Sequence, residues 1–302
     1  MKDQSIVFIR TISMLFIIIC HVGQYYGSAA IGQLFNVGVP IFLFLSGFLY
    51  GKKDITRWSE WSIKRWCTLT IPIIIWLTIL QLAGTVLYEE QPSTLSWLLV
   101  VLNLEGLSFI VDAGRWAQMT GGLGHLWFLT AIMLCYACIP VLQKIRPWMC
   151  SLDIAKTNLL IAGAIIVKCS CDYLLGVHLG YLLTFCIGYF WSRSFQSPNT
   201  WGVLLWCAIA VVCCALRMGG KILWDDSFLY SYVIVGISHP LLAIAIFNIL
   251  YGTFASIKQK NYHILYQLGE GNSIYRQAYI LHLHHSLYFS NWCIQRKPIC
   301  RW

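Results

Sequence analysis

An arginine and a histidine stand eleven positions apart in the first apolar segment of the chain, as Arg10 and His21. In an α-helix, eleven residues return to within about 20° of the same face and rise about 16 Å, so the side chains share a stripe without touching. A guanidinium holds anions, and an imidazole takes a proton from an alcohol or carries an acyl group. Ionisable groups in membrane helices are costly and usually functional. The pair therefore predicts a chemical site within a helix bundle.

Arg10 also has a structural explanation. It would lie about 8 Å from the inner boundary of the membrane, so its side chain could snorkel to water. The histidine on the same stripe favours function over that explanation. A cleavable signal peptide is the alternative for this segment, because Ser28, Ala29 and Ala30 follow the apolar run. An arginine inside the run argues against a signal peptide.

Further candidate site residues lie near the ends of later apolar segments. His125 opens one segment at a depth similar to that of His21, and it is the next candidate catalytic residue. Trp127 offers a face for stacking on a sugar, although a histidine and a tryptophan at a helix end also fit an interfacial belt. Ser46 lies in a span where it, Gly38, Pro40 and Gly47 predict close helix packing and a break in the helix. Together with Glu105, which could orient a histidine, Ser46 and Trp127 are the predicted substrate-binding residues.

A basic loop separates the second and third apolar segments. Its charged residues are Lys52, Lys53, Arg57, Lys64 and Arg65, with Asp54 and Glu60. The positive-inside rule makes this loop cytoplasmic and places the N-terminus in the cytoplasm. The same side chains could attract the phosphates of an anionic donor. The predicted donor-binding residues are Arg10, Lys52, Lys53, Lys64 and Arg65, and for the loop residues the topology rule is an equally good explanation.

The elements that must position these residues are membrane helices. Of the 302 residues, 58% are hydrophobic and only 11% are charged, whereas soluble domains carry about 25% charged residues. The mean hydropathy is +0.67. At roughly 30 residues for each crossing and its connection, the length allows about nine or ten spans. The chain is therefore predicted to be an all-α, polytopic membrane helical bundle, with one domain over residues 1–290 and a tail, 291–302, that has no fold signal.

Eight apolar stretches predict individual spans. They cover residues 5–26, 35–50, 69–87, 123–142, 158–175, 179–191, 202–216 and 228–254. Two more segments are ambiguous. Segment 95–111 contains Asn103 and Glu105, and we interpret it as re-entrant or interfacial because the later basic loop then falls on the cytoplasmic side. Segment 264–289 is interrupted by charges and histidines.

The net charge of +9 does not indicate nucleic-acid binding, because the lysines and arginines lie between apolar segments and form no continuous basic stripe. Most of the 13 cysteines lie within apolar segments, where cysteine behaves as a small hydrophobe. Cys169 and Cys171 have no second pair at a spacing suited to zinc. We therefore predict neither disulfides nor a metal site.

Several segments together resemble one known family. Arg10 and His21 within IRTISMLFIIICH, and NVGVPIFLFLSGFLYGKK at 36–53, resemble the membrane-bound acyltransferase 3 family, which O-acetylates bacterial surface polysaccharides and related glycans. The segment GHLWFLTAIMLCYACIP at 124–140 is similar to a third family element, and 185–190 to a weaker fourth. The resemblance covers about the first 190 residues. Beyond residue 190 the resemblance rests on hydropathy alone, until two short segments at 268–269 and 273–275.

The resemblance implies an O-acetyltransferase of the bacterial cytoplasmic membrane. Such an enzyme would move acetyl from cytoplasmic acetyl-CoA to a hydroxyl of a surface polysaccharide or a lipid-linked oligosaccharide, without a metal. Within it, His21 would act as general base or acyl carrier, with His125 as a second member of the site. The family also has an Arg-x-x-Arg motif in the basic loop. Here Arg65 is followed by Thr68, which supplies no charge.

Two other functions stay open. A transporter or flippase would explain intramembrane charges, but transporters usually show internal repeats, and we find none. A non-catalytic scaffold or acyl-donor subunit is the third possibility. The C-terminal region favours this third possibility, because the sequence is no longer continuously apolar after about Tyr275. We interpret this region as the product of a shifted or truncated reading frame, and the alternative is a genuine histidine-rich helix that lines the site.

Overall fold

The computed structural model describes residues 4–27, 32, 34–87, 94–104, 127–175, 178–195, 197–224, 227 and 229–268. These ranges contain helices and connecting turns, and no β-strand. The helices are α1 (Gln4–Tyr25), α2 (Gly38–Gly51), α3 (Trp58–Leu87), α4 (Thr94–Leu102), α5 (Trp127–Ser151), α6 (Ile154–Leu175), α7 (Gly180–Ser194), α8 (Thr200–Trp224), a π-helix (Leu229–Ile234) and α9 (Val235–Leu268). The all-α prediction is confirmed.

Five stretches of helix within the described ranges are long and apolar enough to cross a membrane. They are Gln4–Tyr25, Trp58–Ile79, Trp127–Ser151, Thr200–Lys221 and Tyr232–Ile257. The shortest have 22 residues, or about 33 Å of helix against a hydrocarbon thickness of about 30 Å. The predicted total of nine or ten spans is not established. Part of segment 95–111, all of 105–126 and the tail 291–302 lie outside the described residues.

The outer surface of the bundle is apolar, as lipid contact requires. On α8, six large aliphatic side chains are each half or more exposed, namely Leu204, Leu205, Val211, Val212, Leu216 and Leu223. Exposure on this scale would be unfavourable in water. In a bilayer these side chains meet acyl chains instead, so the surface of α8 supports a membrane protein.

Helix α2 lies at the centre of the bundle. All but three of its 14 residues are buried, as expected for a helix that is apolar on every side. One face packs on α1 and α9, where the Phe44 and Phe247 rings lie 5.0 Å apart. The other face packs on α5 and α7 through Leu43, Ile132 and Phe185. Residues at both ends of α2 are therefore held by several helices.

Glycines allow α2 and α7 to touch at the backbone. A Cβ atom at Gly47 would overlap the carbonyl oxygen of Phe185, and one at Gly51 would overlap that of Tyr189. Gly47 and Gly51 thus form a Gly-x-x-x-Gly face. The predicted close approach at Gly47 is confirmed. The predicted break is not internal, because α2 runs uninterrupted from Gly38 and Pro40 lies in its first turn, where a proline removes no intrahelical hydrogen bond.

Helix α4 is too short to cross a membrane. Its nine residues measure about 14 Å. The helix ends at Leu102, because the φ of 56° at Asn103 breaks the helical path. The Asn103 amide donates to Thr70 on α3 at 3.0 Å. A polar residue placed within an apolar segment is thereby satisfied. The re-entrant or interfacial interpretation remains a prediction, since the segment continues beyond Leu104.

Candidate functional site

One uninterrupted helix, α1, carries both Arg10 and His21. The predicted shared stripe and the rise of about 16 Å between the two residues therefore hold. The buried face of α1 includes Ile9 and Cys20, and the neighbouring Arg10 and His21 are exposed among the described residues. Ile17 lies between them on the same stripe and contacts α2, since a Cβ atom at Gly38 would lie 2.7 Å from its Cγ1 atom. The stripe therefore borders the contact between α1 and α2.

Tyr50, at the end of α2, lies close to the cations of the basic loop. The charge of Arg65 and, more weakly, that of Arg10 act on its hydroxyl. The Arg65 guanidinium carbon lies 5.6 Å from the centre of the Tyr50 ring, and the Lys53 ammonium lies at the same distance. Tyr50 itself is buried. Two cations of the basic loop thus lie against a buried phenol that the sequence did not single out, and the charge of Arg10 on the first helix also acts on it.

Tyr50 belongs to an aromatic cluster with Trp61 and Tyr136. The three rings meet edge to face, with centroids 5.1 to 5.7 Å apart, which is a favourable arrangement for aromatic pairs. The Tyr136 side chain interacts with those of Tyr50 and Ser46, and the Trp61 side chain interacts with that of Tyr50. Ser46, a predicted substrate-binding residue, therefore lies beside this cluster, one turn before Tyr50 on α2.

A cavity of about 470 Å³ opens beside the aromatic cluster, and we call it the basic cavity. Its lining residues are Lys53, Asp54, Ile55, Arg57, Glu60, Trp61, Lys64 and Arg65. The volume is within the range of small-molecule sites. Three predicted donor-binding residues, Lys53, Lys64 and Arg65, line it together. Lys52 does not, and its ammonium lies 4.2 Å from the centre of the Phe48 ring.

Helix α5 holds the loop that forms one wall of the basic cavity. Gln143 exchanges two hydrogen bonds with the backbone of Ile55: its side-chain oxygen accepts from the N–H at 3.2 Å, and its nitrogen donates to the carbonyl at 3.3 Å. Arg146 forms an ion pair with Asp54 and donates to the Tyr189 hydroxyl at 3.5 Å. Sequence reasoning missed these roles. The available signal was a glutamine and an arginine three residues apart at the end of an apolar span.

The remaining predicted residues lie elsewhere. Trp127 begins α5, and its ring lies 4.6 Å from the Tyr181 ring at an angle of 43°, so one neighbour already packs on the predicted sugar-stacking side chain. His125 and Glu105 lie outside the described residues. His21 lies near the end of α1 far from the basic cavity, where the Cys20 thiol donates to the Gly32 carbonyl at 3.3 Å.

Comparison with known proteins gives one family. A model described as an acyltransferase domain, Acyl_transf_3, matches residues 3–282. Neither the curated proteins nor the solved structures give a match. The family match includes α1 with Arg10 and His21, the basic cavity and every helix of the bundle. The chain therefore belongs to the acyltransferase 3 family of membrane proteins.

Proposed function

We propose that this protein is an integral membrane O-acetyltransferase that moves acetyl from cytoplasmic acetyl-CoA to a hydroxyl of a cell-surface polysaccharide or its lipid-linked precursor. Family membership supports the transfer of an acyl group. The choice of donor rests on the basic cavity, where four cationic side chains surround an indole ring. The choice of acceptor rests on the resemblance of the segments around Arg10, His21 and Ser46 to glycan O-acetyltransferases.

Coenzyme A suits the basic cavity in charge and in ring chemistry. Its phosphates are bound well by guanidinium groups through charge-assisted hydrogen bonds. Its adenine ring can stack on Trp61. Arg65 joins the cavity to Tyr50, and Arg10 acts on the same tyrosine from α1. We therefore place the nucleotide in the cavity and direct the acyl arm along α1 from Arg10 toward His21.

The positive-inside rule supplies the orientation of this proposal. The basic cavity then faces the cytoplasm, where acetyl-CoA is made, and the N-terminus of the chain lies on the same side. His21 lies about 16 Å further along α1 than Arg10, toward the outer face of the bacterial inner membrane. Donor and acceptor thus approach from opposite sides of the bundle.

His21 serves the transfer by one of two routes. As a general base, the imidazole takes the acceptor's hydroxyl proton while the oxygen attacks the thioester carbon, and the departing thiolate receives that proton. As a carrier, the imidazole first takes the acetyl group with release of coenzyme A, and the acceptor hydroxyl then removes it. Only the second route labels the protein when labelled acetyl-CoA is supplied without an acceptor.

The test is transfer of radiolabelled acetyl from acetyl-CoA to surface glycan in membranes that contain the protein. We expect labelled glycan with the wild-type protein and a loss of about 100-fold or more in His21→Ala. Binding of coenzyme A by the purified variant controls for folding. Unchanged transfer by His21→Ala would contradict the role of that residue. Uptake of a glycan or small anion into vesicles without acyl transfer would identify a transporter or flippase instead.

A further inference from the structure

The first turn of α7 lies at the end of the bundle that is opposite to the basic cavity. A Cβ atom at Gly47 of α2 would overlap the carbonyl oxygen of Phe185, and one at Gly51 would overlap that of Tyr189. Both helices advance four residues between these two contacts, so α7 runs parallel to α2. The start of α7 is therefore beside the first half of α2, whereas the basic cavity adjoins its last turn.

Two ring contacts bring Trp127 to the same end. Its indole lies 4.6 Å from the ring of Tyr181, which is in the first turn of α7. The next residue of α5, Phe128, meets the ring of Phe42 edge to face at 5.3 Å. The first residue of α2 contacts α1 one turn before His21. The half-buried Trp127 ring and His21 are therefore at the same end of the central helix.

A buried ion pair of α6 lies next to this end of α7. Lys168 and Asp172 are one helical turn apart, and their charged groups pair at 2.6 Å. Each residue is only 5% exposed. Desolvation of both charges offsets much of their attraction, so stability alone does not explain a buried pair. Ionisable groups buried within membrane helices generally have a function.

Asp172 fixes the first turn of α7. One of its carboxylate oxygens pairs with Lys168, and the other accepts from the backbone N–H of Leu179 at 3.2 Å. Leu179 is the N-cap residue of α7 and makes no capping bond with its own side chain. A carboxylate at this position satisfies an N–H at the helix start and interacts favourably with the helix dipole. Tyr181 follows two residues later, so the same bond holds the ring that packs on Trp127.

The π-helix holds Lys168 in turn. Its ammonium donates to the carbonyl oxygen of Tyr232 within the π-helix at 3.5 Å, and π-helical segments are frequent at functional sites. A Cβ atom at Gly236 would lie 2.1 Å from the Lys168 Nζ atom, and one at Gly180 would lie 3.4 Å from its Cε atom. Glycine at position 236 thus admits the lysine between α6 and α9. The cation that orients Asp172 is therefore fixed from a third helix.

We propose that Lys168 and Asp172 are positioning residues for a glycan acceptor. They hold the start of α7 so that Tyr181 supports the Trp127 ring, and the sugar stacks on the accessible part of that ring. A side chain that is already fixed loses less conformational entropy when a ligand binds, so the support strengthens acceptor binding. The inference rests on the proposed function, because it takes the acceptor to be a glycan.

Two double variants that both remove the buried charges provide a matched comparison. Lys168→Met with Asp172→Asn keeps a side-chain oxygen that can accept from the Leu179 N–H. Lys168→Met with Asp172→Leu has no such acceptor. Neither leaves an unpaired buried charge, which is the strongly destabilising case. A purely structural role of the ion pair predicts the same result for both double variants.

Hydrogen exchange of the purified protein in nanodiscs tests the hold on α7 without any substrate. In the variant with Asp172→Leu, we expect peptides covering residues 179–184 to exchange about fivefold faster or more, because the start of α7 opens locally. In the variant with Asp172→Asn, these peptides should exchange like the wild type. Peptides from the end of α7 are the internal control and should not change. Equal exchange of residues 179–184 in the two double variants would overturn the proposal.

Glycan binding without acetyl-CoA tests the positioning role. The probe is de-O-acetylated surface polysaccharide of the host cell, immobilised for biolayer interferometry with the purified protein. We expect the Kd to rise about tenfold with Asp172→Leu and to stay within about twofold with Asp172→Asn. In a Trp127→Ala background the two double variants should bind alike, since both act through that ring. A difference that persists without Trp127 would overturn the proposed route.

Transfer kinetics separate this inference from the proposed function. In the variant with Asp172→Leu, we expect KM for the polysaccharide to rise with the Kd, whereas KM for acetyl-CoA and kcat stay within about twofold. Equal kinetics of the two double variants would overturn the inference and leave acetyl transfer standing. Polysaccharide binding that follows the expected pattern, without acetyl transfer by the wild type, would overturn the proposed function and leave the inference standing.

Discussion

Arg146 of α5 forms an ion pair with Asp54 of the loop after α2, and its guanidinium also donates to the Lys53 carbonyl oxygen at 3.5 Å. The Arg146 side chain is only 14% exposed, so the pair is partly shielded from water on one side. Gln143, one turn earlier, holds the next residue of the same loop. The wall of the basic cavity is thus ordered by a distant helix before any donor binds.

The first prediction concerns this ordering. In Arg146→Gln, the loop loses its ion pair. The entropic cost of ordering the loop then weakens donor binding. We expect KM for acetyl-CoA to rise about tenfold, or about 1.4 kcal/mol, with kcat within about twofold. Initial rates against acetyl-CoA concentration measure both. Lys144→Gln, an exposed neighbour, is the control, and a lower kcat at unchanged KM would contradict the positioning role.

The second prediction separates the two residues of α1. Arg10 acts on Tyr50 at the donor side, so Arg10→Ala should raise KM for acetyl-CoA by about tenfold or more. His21→Ala should instead lower kcat, because its imidazole acts in the chemical step. Steady-state kinetics on both variants give the comparison. Thr11→Ala, exposed beside Arg10, is expected to leave both constants unchanged, and a purely kcat effect of Arg10→Ala would argue against a donor-side role.

The third prediction concerns the departure from the family's Arg-x-x-Arg motif. Thr68 is exposed, and its hydroxyl donates to the Lys64 carbonyl of its own helix at 2.6 Å, so nothing tertiary depends on it. Thr68→Arg restores a second guanidinium one turn after Arg65. We expect KM for acetyl-CoA to fall several-fold, on the order of 1 kcal/mol for one phosphate contact. Ser62→Arg adds the same charge to α3 outside the cavity lining, and an equal effect there would indicate general attraction only.

The fourth prediction tests the contact between α2 and α7. A methyl group at Gly47 meets the Phe185 carbonyl, and the backbone would have to move, so Gly47→Ala should destabilise the bundle by about 1–3 kcal/mol. Gly163 in α6 has nothing within 4 Å of its Cβ position. Gly163→Ala should therefore be neutral or slightly stabilising through helix propensity. Thermal unfolding in detergent measures both, and equal shifts would refute the packing argument.

Local regularities explain the successful predictions. The helix α1, the common stripe of Arg10 and His21, and the apolar segments all follow from residue periodicity and composition, which act over one or two turns. Lys53, Lys64 and Arg65 line one cavity because they are close in sequence to one another, whereas donor binding by them stays a prediction. Their grouping needed only a loop and the first turns of one helix.

The predictions that failed or fell short concerned contacts between helices that are distant in sequence. An apolar residue in a membrane protein suits both lipid and protein neighbours, so hydropathy does not reveal which face is buried. For this reason Arg10 and His21 could be placed on one stripe, but their exposure among the described residues could not be foreseen. The glycine and proline pattern indicated a break within α2, and the structure shows a continuous helix whose glycines admit α7.

The sequence by itself determined the class of the protein: a helical membrane chain of an acyltransferase family with an arginine and a histidine on its first helix. Only the tertiary structure decided which distant residues share a site. Gln143 and Arg146 meet a loop about 90 residues earlier in the chain. Such meetings depend on how helices pack, and packing is set by close backbone approach and buried polar contacts that no local pattern records.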